Sequence, residues 1–438
     1  MTHTFVETTT PARSASAPIA EPSPRDAPGP GTCRFCGALL HQTFVDLGMS
    51  PLCESYLRAD QVNGMEPFYP LHVYVCERCF LVQLQEYVSR EAIFSEYAYF
   101  SSYSDSWLAH ARRYVDRMIE ELRLTPKSRV VELASNDGYL LQYFVEQGIP
   151  ALGIEPAANV AAVAMAKGVP TLVEFFGRAS AAQMIGRGEM ADLLIGNNVL
   201  AQVHDLNDFV AGMKLLLAPR GVITVEFPHL MRLVADNQFD TIYHEHFSYF
   251  SLFSIEQIFA AHGLTVYDVD EMDTHGGSLR IFACHTEDPM RPVTPRVDGL
   301  RARERAAGVS GLAYYAQFGE RVRETKRKLL QFLIAAKRAG KTVAGYGAPG
   351  KGNTLLNYCG IRTDFIDYTV DRNPYKHGKY LPGTHIPIHP PDQLRETRPD
   401  YVLILPWNLK HEIIDQLAYV RDWGGQFVIP IPEVQVVP

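Results

Sequence analysis

Between residues 241 and 251 the chain reads TIYHEHFSYFS, which gathers Tyr243, His244, Glu245, His246 and Tyr249 within seven positions. Tyrosine, glutamate and histidine all donate or accept protons, and an imidazole does so near neutral pH with little tuning. The chemistry within reach is general acid–base work. The plainer reading is an aromatic segment whose few polar groups are satisfied locally. The surrounding elements must decide between the two.

A second constellation points to metal. CRFC supplies Cys33 and Cys36, and CERC supplies Cys76 and Cys79. Each C-x2-C turn presents two thiolates, and two such turns close the tetrahedron that zinc prefers in structural sites. Four protein ligands leave no open coordination position, so the expected zinc is structural, not catalytic. The intervening LHVYVC alternates like a strand. Cys53, Cys284 and Cys359 stand alone and read as small core residues. Seven cysteines in 438 residues, an odd number, argue against a secreted disulfide scaffold. A cytoplasmic protein is expected.

From residue 129 the pattern is strand, turn, helix, repeated. RVVEL leads into a turn holding Asn136, Asp137 and Gly138, and PALGIEP is a second strand ending in Glu155. ADLLIGNNVL (191–200) and RGVITVEFPHL (220–230) read as later strands. This alternation predicts a parallel, doubly wound sheet with its ligand crevice at the strands' carboxyl ends. An acid closing the second strand suits the hydroxyls of a ribose. No G-x-G-x-x-G lies between Glu132 and Gly138, which disfavours a pyrophosphate and favours a nucleoside without phosphates, S-adenosylmethionine above all. The 241–251 stretch follows the fifth strand, where it can fold over the crevice.

Ahead of this sheet, a helix capped by Ser104 or Asp105 carries Trp107, Ala111, Val115, Met118 and Leu122 at helical spacing. The turn before it is rich in tyrosine (Tyr97, Tyr99, Tyr103) and reads equally as packing or as a wall of the site. Behind the sheet, TVYDVD and LRIFACH flank the turn THGGS (274–278), whose Gly276 and Gly277 permit close approach or positive φ. Arg280 reads as a phosphate ligand or as an ordinary solvated strand residue.

Residues 285–311 read as a linker into a long helix near 312–339, which opens a second α/β unit. In GYGAPGKGNTLLN, Gly345, Gly350 and Lys351 approach a phosphate-binding loop, but Gly352 stands where Ser or Thr would hold magnesium. That speaks against an NTPase of this type and leaves Lys351 and the backbone amides suited to a diphosphate that is bound intact. Further strands are expected over 364–371, 400–407 and 426–432. DRNPYKHGKYLPG offers Lys376, Lys379 and Tyr380 in a binding-type loop, and Trp407 and Asn408 follow a strand end. The first thirty residues, rich in Thr, Ala, Ser and Pro, cannot bury enough apolar surface to order. The expected partition is a tail over 1–30, a zinc-binding domain over 31–103, a Rossmann-like S-adenosylmethionine-binding domain over 104–300 and an α/β domain over 301–438.

A net charge of −8 speaks against nucleic acid as a partner. No apolar run reaches the roughly 18 residues of a membrane span, and no leader is expected. With no coiled-coil seam or repeat, a monomer is expected.

Together these motifs resemble the sugar C-methyltransferases that methylate carbon 3 of dTDP-4-keto-deoxysugars in antibiotic sugar biosynthesis. The resemblance runs from about Thr32 to the C-terminus. It rests on CRFC…CERC, VELASNDGYL, NNVLAQVHDLNDF, the run Tyr243, Glu245, His246, HGGSLR and GYGAPGKGNTLLN. It implies His246 as the base at carbon 3, with Tyr243 and Glu245 orienting it and Tyr97 reaching the same site. It implies a cofactor pocket from Glu132, Ser135, Asn136, Asp137, Gly138, Tyr139, Glu155, Asn197, Asn198 and Gln202. For the sugar nucleotide it implies Ser278, Arg280, Gly347, Lys351, Asn353, Lys379 and Trp407. One position departs from the family, which typically carries VLAHV where this chain reads VLAQV, so Gln202 replaces a histidine. Glutamine can hydrogen-bond an oxygen but cannot exchange protons near pH 7, and His204, two places on, is a poor stand-in. Rival readings are an O- or N-methyltransferase on a sugar nucleotide, and a binding homologue that has lost catalysis.

Overall fold

Three sheets account for the strand-like runs. In the computed structural model residues 31–94 and 100–438 are described, so the tail expected over 1–30 and Tyr97 lie outside the described residues. The N-terminal sheet begins with β1 (Gln42–Ser50), β2 (Tyr69–Val75) and β3 (Val82–Leu84), paired antiparallel in that order. Leu71, Val73 and Val75 of β2 all face inward, as the period-2 pattern requires. One C-x2-C turn precedes β1, and the other joins β2 to β3.

The central sheet comprises β4 (Val130–Leu133), β5 (Ala151–Ile154), β6 (Thr171–Leu172), β7 (Ala191–Asn197) and β8 (Leu217–Pro228), all parallel. The chain then leaves this sheet, and β9 (Ser248–Tyr249) pairs with β3 as the fourth strand of the N-terminal sheet. It returns as β10 (Leu264–Met272) and β11 (Ser278–His285), which add antiparallel to β8. The spatial order is β10-β11-β8-β7-β4-β5-β6. The order reverses between β4 and β7, so the crevice of this Rossmann-like sheet opens at their carboxyl ends. Ser104 caps the helix Asp105–Leu122 by accepting the Trp107 amide at 3.3 Å, and Ala111, Val115 and Met118 are buried against the sheet as their spacing predicts.

The third sheet holds β12 (Val343–Tyr346), β13 (Thr369–Val370), β14 (Ile388–His389), β15 (Tyr401–Ile404), β16 (Gln426–Ile429) and β17 (Gln435–Val437). Its order is β14-β13-β12-β15-β16-β17, parallel except at the β17 edge. The helix Gly350–Cys359 starts directly after the glycine-rich turn that follows β12. One continuous core joins Phe44, Val73 and Val82 of the N-terminal sheet to Phe239, Ile242 and Tyr249, and onward to Tyr346 and Leu355 of the third sheet. Among the described residues no helix is long and apolar enough to cross a membrane.

Two expectations are corrected. The span 285–311 is not a bare linker, because Pro295–Ala307 is a helix that starts at a proline and ends at Gly308 with φ +85°. Its buried face is only Val297, Leu300 and Glu304, and the remainder is rich in arginine and glutamate, which hid it. Glu304 is fully engaged there: Oε1 accepts the Leu252 amide at 2.7 Å and pairs with His229 Nε2 at 2.8 Å, while Oε2 accepts the Phe253 amide at 2.8 Å. The long helix expected near 312–339 is two, Leu312–Ala316 and Phe318–Arg338, broken at Gln317.

Candidate active site and metal centre

A cavity of about 670 Å³ opens at the carboxyl ends of the central strands and is walled by all three units. Its floor is the turn after β4. Ala134, Asn136 and Gly138 have φ of 52°, 50° and 75°, a tight reversal that turns backbone amides toward the next strand. The Asn136 and Ala157 amides each donate to the Glu155 carboxylate at 2.9 Å, one to either oxygen. Burial pushes the Glu155 carboxyl up, and these two amides oppose the shift. Each oxygen keeps a lone pair for a ligand hydroxyl. A Cβ at Gly138 would stand 3.1 Å from Val169 Cγ2, so the turn packs directly on its neighbours. Tyr139 stacks on Trp107 with ring centroids 5.9 Å apart, and Asn197 Nδ2 donates to the Tyr139 hydroxyl at 3.4 Å.

The 241–251 stretch lies over this floor. The Thr241 carbonyl, which can only accept, is 3.0 Å from His246 Nδ1. Nδ1 therefore carries the proton, and Nε2 is the basic nitrogen. The Tyr243 ring lies 4.1 Å from the imidazole, centroid to centroid. Burial drives the Tyr243 hydroxyl well above its ordinary range, with Cys53 and Glu245 adding to the effect. Like any tyrosine it is a neutral O–H donor at physiological pH, and the shift extends that form to higher pH. The Cys53 thiol donates to Glu245 Oε1 at 3.6 Å. His244 turns away to the Pro70 carbonyl at 3.2 Å, and Tyr249 is committed to β9.

The cavity is lined by Asn136, Tyr139, Glu155, Asn197, Asn198, Gln202, Tyr243, Glu245, His246 and Lys351 among the residues singled out from the sequence. Glu132, Ser135, Asp137 and Gly138 support the floor from behind. Burial holds the Glu132 carboxyl well above the usual carboxylate range. Ser135 packs on Gly153, where a Cβ would stand 2.3 Å from its hydroxyl, and Asp137 receives Lys167 Nζ at 3.2 Å. Gly347 (φ +88°) packs on Pro406, and the Asn353 amide donates to the Cys53 carbonyl at 2.6 Å. Trp407 Nε1 donates to Asp240 at 2.7 Å, and Ser278 donates to the Thr274 carbonyl at 3.0 Å. Arg280 is buried in an ion pair with Glu226 at 2.6 Å, beneath the Tyr114 ring. Lys379 is half-buried in its loop and does not line the cavity. His204 does line it, its Nδ1 against the Glu86 carboxylate, and burial pulls its pKa down.

Several wall residues were not read from the sequence as site residues. By its spacing Trp107 reads only as a core position of the helix Asp105–Leu122, and His110 belongs to no motif, yet both line the cavity from that helix, their rings stacked at 4.9 Å. Their i, i+3 spacing was the available signal. Glu54 comes from the N-terminal unit, where nothing in the local sequence marks it. Lys376, noted only as a loop residue, also reaches the wall and donates to the Ala348 carbonyl at 2.8 Å.

The four cysteines converge as expected. Their sulfurs all lie within 4.8 Å of one another, with Cys33–Cys79 and Cys36–Cys76 at 3.5 Å. A tetrahedron with Zn–S bonds near 2.3 Å has edges of about 3.8 Å, so this donor set fits a structural zinc with no open position. S-Adenosylmethionine fits the floor of the cavity. Glu155 retains acceptor capacity for a ribose, Asn197 Oδ1 is a buried acceptor with no hydrogen-bond partner among the described residues, and Trp107 and Tyr139 present ring faces.

Family models match in three consecutive pieces: a zinc binding domain over residues 33–94, a methyltransferase domain over 107–269 and a C-methyltransferase C-terminal domain over 273–432. The chain is 40% identical over 411 residues to the C-methyltransferase NovU of Streptomyces niveus, covering 92% of this chain and 96% of that protein. Among solved structures, magnesium protoporphyrin IX methyltransferase (ChlM) of Synechocystis PCC 6803 with bound SAM is 15% identical, covering 41% of this chain and 82% of its own, at a TM-score of 0.31. The CcbJ methyltransferase of Streptomyces caelestis is 10% identical, covering 40% and 89%, at 0.32. Scores this low carry no conclusion, so assignment stands on the family models and on NovU. With that identity sustained across nearly the full length of both proteins, the chain belongs to the C-methyltransferase family.

Proposed function

We propose that this C-methyltransferase deprotonates carbon 3 of a dTDP-4-keto-6-deoxysugar and methylates the resulting enolate. The observation that carries the reading is His246: its Nδ1 is committed to a carbonyl, and it shares one cavity with Glu155 and Asn197 on one side and Lys351 and Lys376 on the other. A proton beside a ketone is too weakly acidic for imidazole unless the developing oxyanion is stabilised, and one well-aimed donor contributes about 3–4 kcal/mol. Tyr243, a neutral phenol whose burial keeps it protonated well beyond the ordinary range, is suited to that donation. His246 Nε2 takes the proton. Glu245, held by Cys53, orients the base and the substrate. Bound S-adenosylmethionine would supply an electrophilic methyl on a sulfonium, the S–CH3 bond breaking as the C–C bond forms and S-adenosylhomocysteine leaving. The walls align the carbanion with it and exclude water. Lys351 and Lys376 supply positive charge for the diphosphate, and Gln202 offers hydrogen bonds to a sugar oxygen without exchanging protons. The name of the relative NovU, a C-methyltransferase, supports carbon over oxygen or nitrogen as the acceptor.

The test is incubation with S-adenosylmethionine and a panel of dTDP-4-keto-6-deoxysugars in deuterated water, with products read by mass spectrometry and NMR. Exchange and methylation at carbon 3 are expected. His246→Asn should lower both by at least about 100-fold. Methyl on oxygen or nitrogen without exchange would sink the carbon-acid reading. Exchange and methylation at carbon 5, the other neighbour of the ketone, would move the site of attack. An unchanged rate in the His246 variant would remove the base.

A further inference from the structure

The base is held by a carbonyl, and that carbonyl is itself held from another unit. Thr241 ends a single helical turn, Phe239–Thr241. On its N-terminal side the Asp240 carboxylate accepts Trp407 Nε1 at 2.7 Å. On its C-terminal side the Ile242 carbonyl accepts Thr354 Oγ1 at 2.9 Å. Both donors belong to the C-terminal unit and both are buried, Thr354 at 2% exposure and Trp407 at 8%. Trp407 is fixed in turn. A Cβ on Gly276 would stand 2.9 Å from its Cη2, and the Lys351 ammonium lies 5.0 Å above its ring. Neither Thr354 nor Trp407 is among the residues lining the cavity.

We infer that Thr354 and Trp407 are positioning residues for His246, gripping the chain on both sides of the carbonyl that selects its tautomer. The inference rests on His246 being the base. A neutral imidazole exists as two tautomers, and only the one protonated on Nδ1 presents Nε2 as an acceptor. One hydrogen bond to Thr241 makes that selection, so its worth depends on where the carbonyl sits. Two buried side-chain bonds from the neighbouring C-terminal unit define that position more tightly than a short turn does alone. A displacement of about 1 Å near a reacting group can cost as much as 100-fold in rate.

The test uses the full-length protein as Thr354→Val, Thr354→Ser and Trp407→Phe. Valine keeps the shape of threonine without the donor, and phenylalanine keeps a ring without the N–H. In Thr354→Val and Trp407→Phe, kcat should fall about tenfold, with KM for the sugar nucleotide and affinity for S-adenosylmethionine within about twofold of wild type. Thr354→Ser should restore kcat. Nitrogen NMR of histidine-labelled protein, with the His246 signal assigned by its loss in His246→Asn, should read the Nδ1–H form in wild type and a mixture in the two variants. Unchanged kcat in both variants overturns the inference. So does a fall that leaves the tautomer intact, or one that serine does not rescue. Turnover in His246→Asn would instead overturn the base assignment, a separate outcome from any tautomer shift.

Discussion

Asp240 sits fully buried with one oxygen on Trp407 and the Lys351 ammonium nearby, and burial pushes its carboxyl up to about 6. Unfolded, the same group titrates near 3.8, so between roughly pH 4 and 6 the folded state holds a proton that the unfolded state has lost. Stability from this residue therefore falls as pH rises through that window, by on the order of 3 kcal/mol. Asp240→Asn does not titrate there. Denaturation of the two proteins at pH 4 and pH 7 should find the variant gaining on wild type at the higher pH. Gly138 offers a second residue-scale test. Alanine at φ +75° costs about 1–2 kcal/mol and brings a Cβ to 3.1–3.3 Å from Val169 and Ala164. Gly138→Ala should lower the denaturation midpoint and weaken S-adenosylmethionine binding, both readable by calorimetry. At this scale the sequence was legible where residue types were dense, as at Tyr243, Glu245 and His246. It was opaque at Arg280 and Trp407, because a place at a strand end locates the Cα and does not reveal which partner the side chain meets.

The helix Pro295–Ala307 matters more than its solvated sequence implies. Through Glu304 it satisfies the first two amides of the helix Leu252–Ala261 and fixes His229, which follows Pro228 in the cavity wall. Glu304→Ala would strand two buried N–H groups and a buried imidazole. It should destabilise the protein by roughly 3 kcal/mol in urea unfolding, with faster hydrogen exchange at the Leu252 and Phe253 amides. Normal exchange there would mean that Ser251, whose side chain also accepts an amide of this turn, suffices alone. Elements were legible wherever apolar runs were long and bounded by turn residues, as in β4, β7 and β8. They were not legible as two-residue strands such as β6 and β14, whose pairing is set by neighbours. Nor could β9 be read: its residues Ser248 and Tyr249 pair with Gln83 and Val82 of β3, far back in the chain, and only tertiary packing makes that choice.

At the scale of the molecule, one of the cysteine turns and the segment that follows His246 meet in a single sheet. The Cys76–Cys79 turn joins β2 to β3, β3 pairs with β9, and the Leu84 amide donates to the Phe247 carbonyl at 3.0 Å, one residue past His246. On the role proposed for His246, loss of the structural metal is expected to lower turnover without any contact between metal and substrate. Chelation, or Cys36→Ser, should release zinc, raise hydrogen exchange across 246–249 and reduce kcat. Full activity in verified metal-free protein would contradict this. The same interleaving limits how such enzymes can be recombined. The C-terminal unit carries one wall of the cavity and also Thr354 and Trp407, while Asp240 and Ile242 belong to the central unit. A chimera that trades C-terminal units between relatives to alter what the cavity accepts also trades the donors that meet 240–242. Its turnover will depend on whether residues 354 and 407 of one parent suit residues 240 and 242 of the other, so crossover points chosen at the domain boundary would divide a functional contact in two.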